Sequence, residues 1–207
     1  MESLLSDNQI IGFIGSGNMG SAIAYSICDH LNVSIMVSEP DSSKHNVPDA
    51  YRSQIKFCTH AEVFKLASIV FLAIKPQVLL NIVDDISSYV EPHHLVVSML
   101  AGTSVESLGS HFNTTQLVRI MPNTPALLGK GVTGIFFNPP VLKDNRDKIR
   151  HICDGFGYAF ELDKEEQMHA ITALSGSGPA FFYRIVAVFA QFAQVQGLDK
   201  AMSLNVA

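Results

Sequence analysis

One eleven-residue stretch, Ile10-Ile11-Gly12-Phe13-Ile14-Gly15-Ser16-Gly17-Asn18-Met19-Gly20, limits what this chain can fold into more than any other. Ile10, Ile11, Phe13 and Ile14 are apolar without alternation, the pattern of a central parallel strand covered on both faces. Gly15, Gly17 and Gly20 follow at the G-x-G-x-x-G spacing. The first glycine permits a tight turn, the second lets backbone approach a pyrophosphate, and the third lets the next helix lie close to the strand. Unpaired N–H groups and the dipole at that helix start make a site for negative charge. Ser21-Ala22-Ile23-Ala24-Tyr25-Ser26-Ile27 continues the helix with mostly small residues. A second strand, Val33–Ser38, completes a βαβ unit, and Glu39 stands at its end, nineteen residues beyond Gly20. A carboxylate there can accept hydrogen bonds from a ribose 2′-hydroxyl. The competing interpretation is a glycine-rich turn that holds no nucleotide. The strand before it, the helix after it and the βαβ length weigh against that.

The strand–helix alternation continues to residue 162. Pro40–Lys44 starts a turn that Pro48 ends; Ser42, Ser43 and Lys44 suit either a 2′-phosphate or a solvated turn. Ile55–Phe57 reads as a third strand. Thr59 and Glu62 have capping-box spacing before a helix to about Ala67. Ser68–Ile74 is apolar and rich in β-branched residues, the clearest strand in the chain. Ligands of open α/β sheets bind beyond the carboxyl ends of strands, which puts Lys75 in a cofactor's path. Pro76 opens a helix to about Tyr89. Leu95–Met99 is followed by the loop Leu100-Ala101-Gly102 and by a second capping-box spacing at Thr103–Glu106. Leu117–Met121 runs into the stiff loop Pro122-Asn123-Thr124-Pro125. Gly131–Phe137, parallel or antiparallel, a polar helix from about Leu142 to Asp154, and Tyr158–Leu162 complete the region. The expectation is a doubly wound, mostly parallel α/β sheet of the Rossmann type over residues 1–162.

From Lys164 the chain reads as helical, with an interruption at Ser175-Gly176-Ser177-Gly178-Pro179. The Ser175 and Ser177 hydroxyls are expected to cap the next helix. That helix, about Ala180 to Gln196, keeps Arg184, Gln191 and Gln194 on one narrow stripe. The rest is Phe181, Phe182, Ile185, Val186, Val188, Phe189, Phe192 and Val195. A helix apolar over most of its circumference must be buried, and little chain follows to cover it. A second copy is the expected cover, so residues 163–207 read as the start of an all-helical dimerisation domain in a homodimer or higher homo-oligomer. Length and Arg184 argue against a membrane span. A net charge of −5, with no basic run longer than a pair, argues against nucleic acid. Cys28, Cys58 and Cys153 have no C-x-x-C spacing and suit buried thiols in a reducing compartment. Met1–Asp7 lacks the features of a signal peptide, which leads to the expectation of a cytoplasmic protein. His30, His111 and His151 lack metal-ligand spacing, so no metal is expected, and His93 and His94 are expected in a solvated loop.

Four motifs together resemble the pyrroline-5-carboxylate reductase family. They are Gly15-x-Gly17-Asn18-Met19-Gly20, Phe71-Leu72-Ala73-Ile74-Lys75-Pro76-Gln77, Val118-Arg119-Ile120-Met121-Pro122-Asn123-Thr124-Pro125-Ala126 and Thr172-Ala173-Leu174-Ser175-Gly176-Ser177-Gly178-Pro179-Ala180. The resemblance implies hydride transfer from NAD(P)H to the C=N carbon of 1-pyrroline-5-carboxylate, giving L-proline. The cofactor carries the hydride; the protein holds the imine against it. By the resemblance, Ile14, Gly15, Ser16, Gly17, Asn18 and Met19 would hold the pyrophosphate. Ala73, Lys75, Pro76, Ala101 and Gly102 would line the ribose and nicotinamide, and Asn123 would lie near the nicotinamide. Glu165 would reach the substrate, and Ser175, Ser177 and Gly178 would frame its pocket. No catalytic acid is implied. His60 replaces a usual asparagine near the adenosine ribose, and His169 a usual aspartate. Glu39 would repel a 2′-phosphate, which favours NADH, with Lys44 as the counterweight. Family members also continue past the position of Ala207, through a segment that binds the substrate carboxylate. The expectation is therefore a truncated or fragmentary reductase, or a cofactor-binding, dimer-forming protein without turnover. A β-hydroxyacid dehydrogenase shares the opening motif but needs a catalytic lysine on the helix after the linker, and none lies between Lys164 and Lys200.

Overall fold

A computed structural model describes Leu5 and residues 9–207. The segment read above as lacking signal-peptide features lies, apart from Leu5, outside the described residues. Eight strands form one sheet: β1 Ile10–Ile14, β2 Ser34–Ser38, β3 Ile55–Phe57, β4 Ile69–Leu72, β5 Leu95–Ser98, β6 Leu117–Met121, β7 Gly131–Phe137 and β8 Gly157–Glu161. Their order is β3-β2-β1-β4-β5-β6-β7-β8. All neighbouring strands are parallel except β6 and β7. The order reverses between β1 and β4, so a crevice opens at their carboxyl ends, where such sheets bind ligands.

The helices between the strands are α1 Asn18–His30, α2 His60–Leu66, α3 Pro76–Ser87, α4 Val105–Gly109 and α5 Lys143–Asp154. They cover both faces of the sheet. Ile11, Phe13, Ile35, Phe71 and Val97 share one core with Ile23 and Ile27 of α1 and Ile149 and Ile152 of α5. Ile14, Val70, Leu72 and Val96 share the other with Val63 of α2, Leu79 and Val83 of α3 and Leu108 of α4. Successive residues of a strand face opposite sides. A sheet covered twice therefore needs apolar residues at consecutive positions, as the sequence has. Phe13 and Phe71, opposite each other in register, stack at 4.9 Å.

Thr59 and Glu62 form the expected capping box at α2. At α4 the cap is Ser104 rather than Thr103, and its hydroxyl accepts from the Ser107 N–H. His94 is not solvated. Its ring is buried, with Nδ1 accepting from the Glu91 N–H at 2.8 Å and Nε2 lying 2.8 Å from the Phe64 carbonyl. That arrangement requires the neutral ring with the proton on Nε2. Of the three thiols, Cys153 is buried whereas Cys28 and Cys58 are half-buried. Burial pushes Cys28 up to about 12 and raises Cys153 as well.

The helical region departs from expectation at its centre. α6, Gln167–Ile171, passes into a π turn, Thr172–Gly176, and then into α7, Gly178–Val195; α8, Lys200–Val206, follows. Where an interruption was expected, the chain stays helical and accommodates Pro179 with a wider turn, closed by Ser177 N–H to Thr172 C=O. Among the described residues neither serine hydroxyl caps α7. Ser177 Oγ donates back to the Thr172 carbonyl, and α7 has no side-chain cap. Joined in this way, Gln167–Val195 is 29 residues long and passes the length and composition test for a membrane span. The length argument against a span therefore fails, and one arginine does not exclude a span on composition. Only Ala190 and Ala193 of α7 are buried within the chain.

Candidate functional site

The turn between β1 and α1 is shaped by three glycines under different constraints. Gly15 has φ +95°, and a Cβ there would stand 2.6 Å from Ile74 Cγ2 and 2.8 Å from the Ala73 carbonyl oxygen. A Cβ on Gly20 would stand 2.8 Å from Ala73 Cβ. These two glycines press the turn and the helix start against the end of β4. At Gly17, among the described residues, nothing lies within 4 Å of the corresponding position. Gly17 is the N-cap of α1 and brings no side chain, and no acidic residue stands in the first turn. The first N–H groups of a helix have no partner within it. Here they open into a cleft of about 610 Å³. Among the described residues the buried Ser16 Oγ also finds no hydrogen-bond partner. The bare backbone, the open space and the orphaned hydroxyl fit the phosphates of a dinucleotide.

Glu39 is bound into this turn. Its Oε2 accepts from the Ser16 N–H at 3.1 Å, its Oε1 accepts from the Asp41 N–H at 3.1 Å, and Lys44 Nζ lies 3.4 Å away. Burial pushes the carboxyl up, but the two amides and the Lys44 ammonium outweigh it and hold the group below the ordinary glutamate value. Three protein donors take the acceptor positions assigned above to a ribose, and an ammonium faces the charge. The preference for NADH inferred from Glu39 is therefore unsupported. Lys44 itself lines the cleft.

Beyond the glycine turn the cleft runs along the ends of β4, β5 and β6, past Ala73, Lys75, Met99, Met121 and Pro122, to Gly176 of the π turn. Ala73 and Lys75, implied by the resemblance to contact the cofactor, line this cleft. Pro76 and Gly102 line a separate, smaller cleft of about 220 Å³ beside α3, and Ala101 is on the exposed turn next to Gly102. Ile14 contributes its carbonyl, which accepts from the Ala73 N–H; its side chain is in the core. His60 is not among the residues that line this cleft; its Nδ1 lies 2.8 Å from Asp85 Oδ2 of α3. Met99 and Met121 were missed. The signal for them is positional: each stands at the carboxyl end of a central strand, the edge that singled out Lys75.

Asn123, implied near the nicotinamide, and Glu165 and Ser175, implied for the substrate, are bonded to the protein. The Asn123 Oδ1 accepts from the Val132 N–H at 2.8 Å, while its Nδ2 donates to the Ser175 carbonyl at 3.2 Å and to Ser175 Oγ at 3.1 Å. Pro179 has no N–H to return to the Ser175 carbonyl four residues back, so Asn123 supplies the missing donor. The Glu165 Oε1 accepts from Arg119 Nη1 at 2.7 Å and from the Val105 N–H at 2.8 Å. Gly178 begins α7, and Ser177 is exposed. Arg119, buried in mid-strand, was not singled out. Its signal is a lone charge between Val118 and Ile120 in an otherwise apolar strand.

Residues 10–102 match the family described as NADP oxidoreductase, coenzyme F420-dependent. Residues 165–207 match the pyrroline-5-carboxylate reductase dimerisation family. Pyrroline-5-carboxylate reductase of Haemophilus influenzae is 32% identical over 183 residues, covering 85% of this chain and 66% of its own length. The Escherichia coli protein is 31% identical over 201 residues, covering 95% and 74%. Among solved structures, Plasmodium falciparum pyrroline carboxylate reductase with NADP bound superposes with a TM-score of 0.84 at 25% identity, over 97% of this chain and 74% of that one.

Proposed function

This chain belongs to the pyrroline-5-carboxylate reductase family, and from that membership we propose that it serves in the NAD(P)H-dependent reduction of 1-pyrroline-5-carboxylate to L-proline. The observation that carries the proposal is the open backbone at Gly17, facing a cleft whose far wall belongs to the helical segment. When bound, the nicotinamide dinucleotide supplies the hydride. The residues of this chain do the rest. The amides of the α1 start and the Ser16 hydroxyl would take the diphosphate, and Lys44 would face the adenosine ribose and a 2′-phosphate. Ala73, Lys75, Met99 and Met121 would bound the nicotinamide half. The methionine side chains would present an apolar surface to the ring at that end of the cleft. The substrate is a small imine carboxylate, placed between this end of the cleft and the π turn. The Glu39–Lys44 pair leaves room for NADPH as well as NADH, and the Plasmodium falciparum relative carries NADP. A soluble homo-oligomer, with α7 against a second copy rather than lipid, completes the reading.

A second reading, dinucleotide binding and dimer formation without turnover, has one observation in its favour. Glu165, Asn123 and Ser175 are engaged with protein partners rather than open to a substrate. Oxidation of NADPH by this chain, followed at 340 nm with 1-pyrroline-5-carboxylate present, separates the two. Turnover that requires the imine supports the reductase. Tight dinucleotide binding with no turnover supports the second reading.

A further inference from the structure

The strand β6 and the loop after it hold the helical segment at two points. Arg119, in the middle of the strand, meets Glu165, which lies just before α6. Asn123, just after the strand, meets Ser175 in the π turn. Between these two ties, Met168 of α6 packs on Met121 and Leu162, and Ile171 packs beside them. The second tie ends one residue from Gly176, which lines the far end of the cleft.

The Arg119 side chain is 6% exposed and that of Glu165 is 19% exposed. A buried ion pair is a poor device for stability alone, because desolvation of the two ions offsets most of their attraction and apolar residues of similar size do as well. It does fix geometry, because each partner is costly to leave unpaired. Glu165 adds a third element by accepting the N–H of Val105, the first residue of α4. One carboxylate therefore fixes β6, α4 and the entrance to α6 relative to one another.

We infer that Arg119 is a positioning residue: by pinning Glu165, and with Asn123 holding the π turn, it sets the wall of the cleft against which the nicotinamide half of the dinucleotide rests. The inference depends on the dinucleotide reading above. It assigns Asn123 a role through Ser175 rather than through direct contact with the ring.

The test compares two ligands that differ only in the nicotinamide ring, NADPH and 2′-phospho-ADP-ribose, titrated calorimetrically into the full chain. The wild type should bind NADPH roughly tenfold more tightly than the truncated ligand. In R119M the two affinities should converge, with that for 2′-phospho-ADP-ribose changed less than about twofold; R119K, which keeps the charge, should restore most of the difference. Should R119M fail to fold, N123S reads the same ratio. A positioning role is overturned if the wild type shows no preference for NADPH, if R119M keeps the full preference, or if R119M weakens both ligands alike. A wild type that binds neither ligand overturns the dinucleotide reading itself, and this inference with it.

Discussion

At the scale of single residues, Glu39 belongs to the glycine turn before it belongs to any ligand. Its carboxylate accepts from Ser16 and Asp41 and faces Lys44. Replacing it with glutamine keeps an acceptor for Ser16 but removes the charge and releases Lys44. The ratio of NADPH to NADH affinity should then rise roughly fivefold to tenfold, about the effect of one partly screened charge contact. An unchanged ratio by calorimetry would mean that the pair does not face the ribose. His94 makes a different prediction. Burial, first, holds its pKa below the ordinary histidine value. The unfolded chain therefore binds the proton first, near pH 6.5. Stability is full above that pH and falls as pH drops below it toward the folded value. In H94N this acid dependence should be shallower, read as the change in unfolding midpoint in urea between pH 7 and pH 5.5. Equal slopes for the two proteins would place the acid sensitivity elsewhere. His94 also shows where sequence reading gives out. Nothing local distinguishes it from His93, and the partner of its Nε2, the Phe64 carbonyl, is thirty residues away.

At the scale of elements, the β1–α1 turn separates folding from binding. Gly15 is confined by its positive φ and by Ala73 and Ile74, whereas Gly17 is extended and open. Gly17→Ala adopts its native backbone without strain, but Gly17 is the N-cap of α1, where alanine caps poorly; the two effects oppose, so stability should change by less than about 1 kcal/mol. Dinucleotide affinity should nevertheless fall about tenfold or more, because the new methyl stands where phosphate must approach. Gly15→Ala should instead cost the fold. Thermal unfolding and calorimetry on both variants check the pair; equal loss of stability, or G17A that binds like the wild type, would contradict this division. The elements of the sheet were legible because consecutive apolar residues, glycines and caps are local signals, as Ile69–Leu72 and the Thr59–Glu62 box show. The π turn was not. Its acceptability depends on Asn123 donating to the carbonyl that Pro179 leaves free, a contact across 52 residues. The division of Pro76 and Gly102 from Ala73 and Lys75 likewise depends on which residues of α3 and α4 meet around the smaller cleft, which spacing does not encode.

At the scale of the whole molecule, α7 leaves its apolar face outward. Phe181 and Phe182 are each 69% exposed, Phe189 is 58% exposed and Phe192 is 66% exposed. A contiguous apolar surface of this kind marks an interaction face, and the match to a dimerisation family spans it. Introducing F182E together with F189E, seven residues apart on one stripe, should leave the nucleotide-binding sheet folded and yield monomers by light scattering at micromolar concentration. Dimers that persist in the double variant would show that another surface joins the copies. The helix was legible as needing cover because its composition is apolar nearly all round. Its continuity with α6 was not legible, because proline and glycine read as a break.

The most direct measurement is calorimetric titration of NADPH, and separately NADH, into folded wild-type protein. Saturable heat at one dinucleotide per protomer, abolished or weakened about tenfold or more in G17A, is the result expected for a diphosphate seated on the amides of the α1 start. Folded protein that takes up neither dinucleotide, or G17A that takes them up as the wild type does, would contradict that seat.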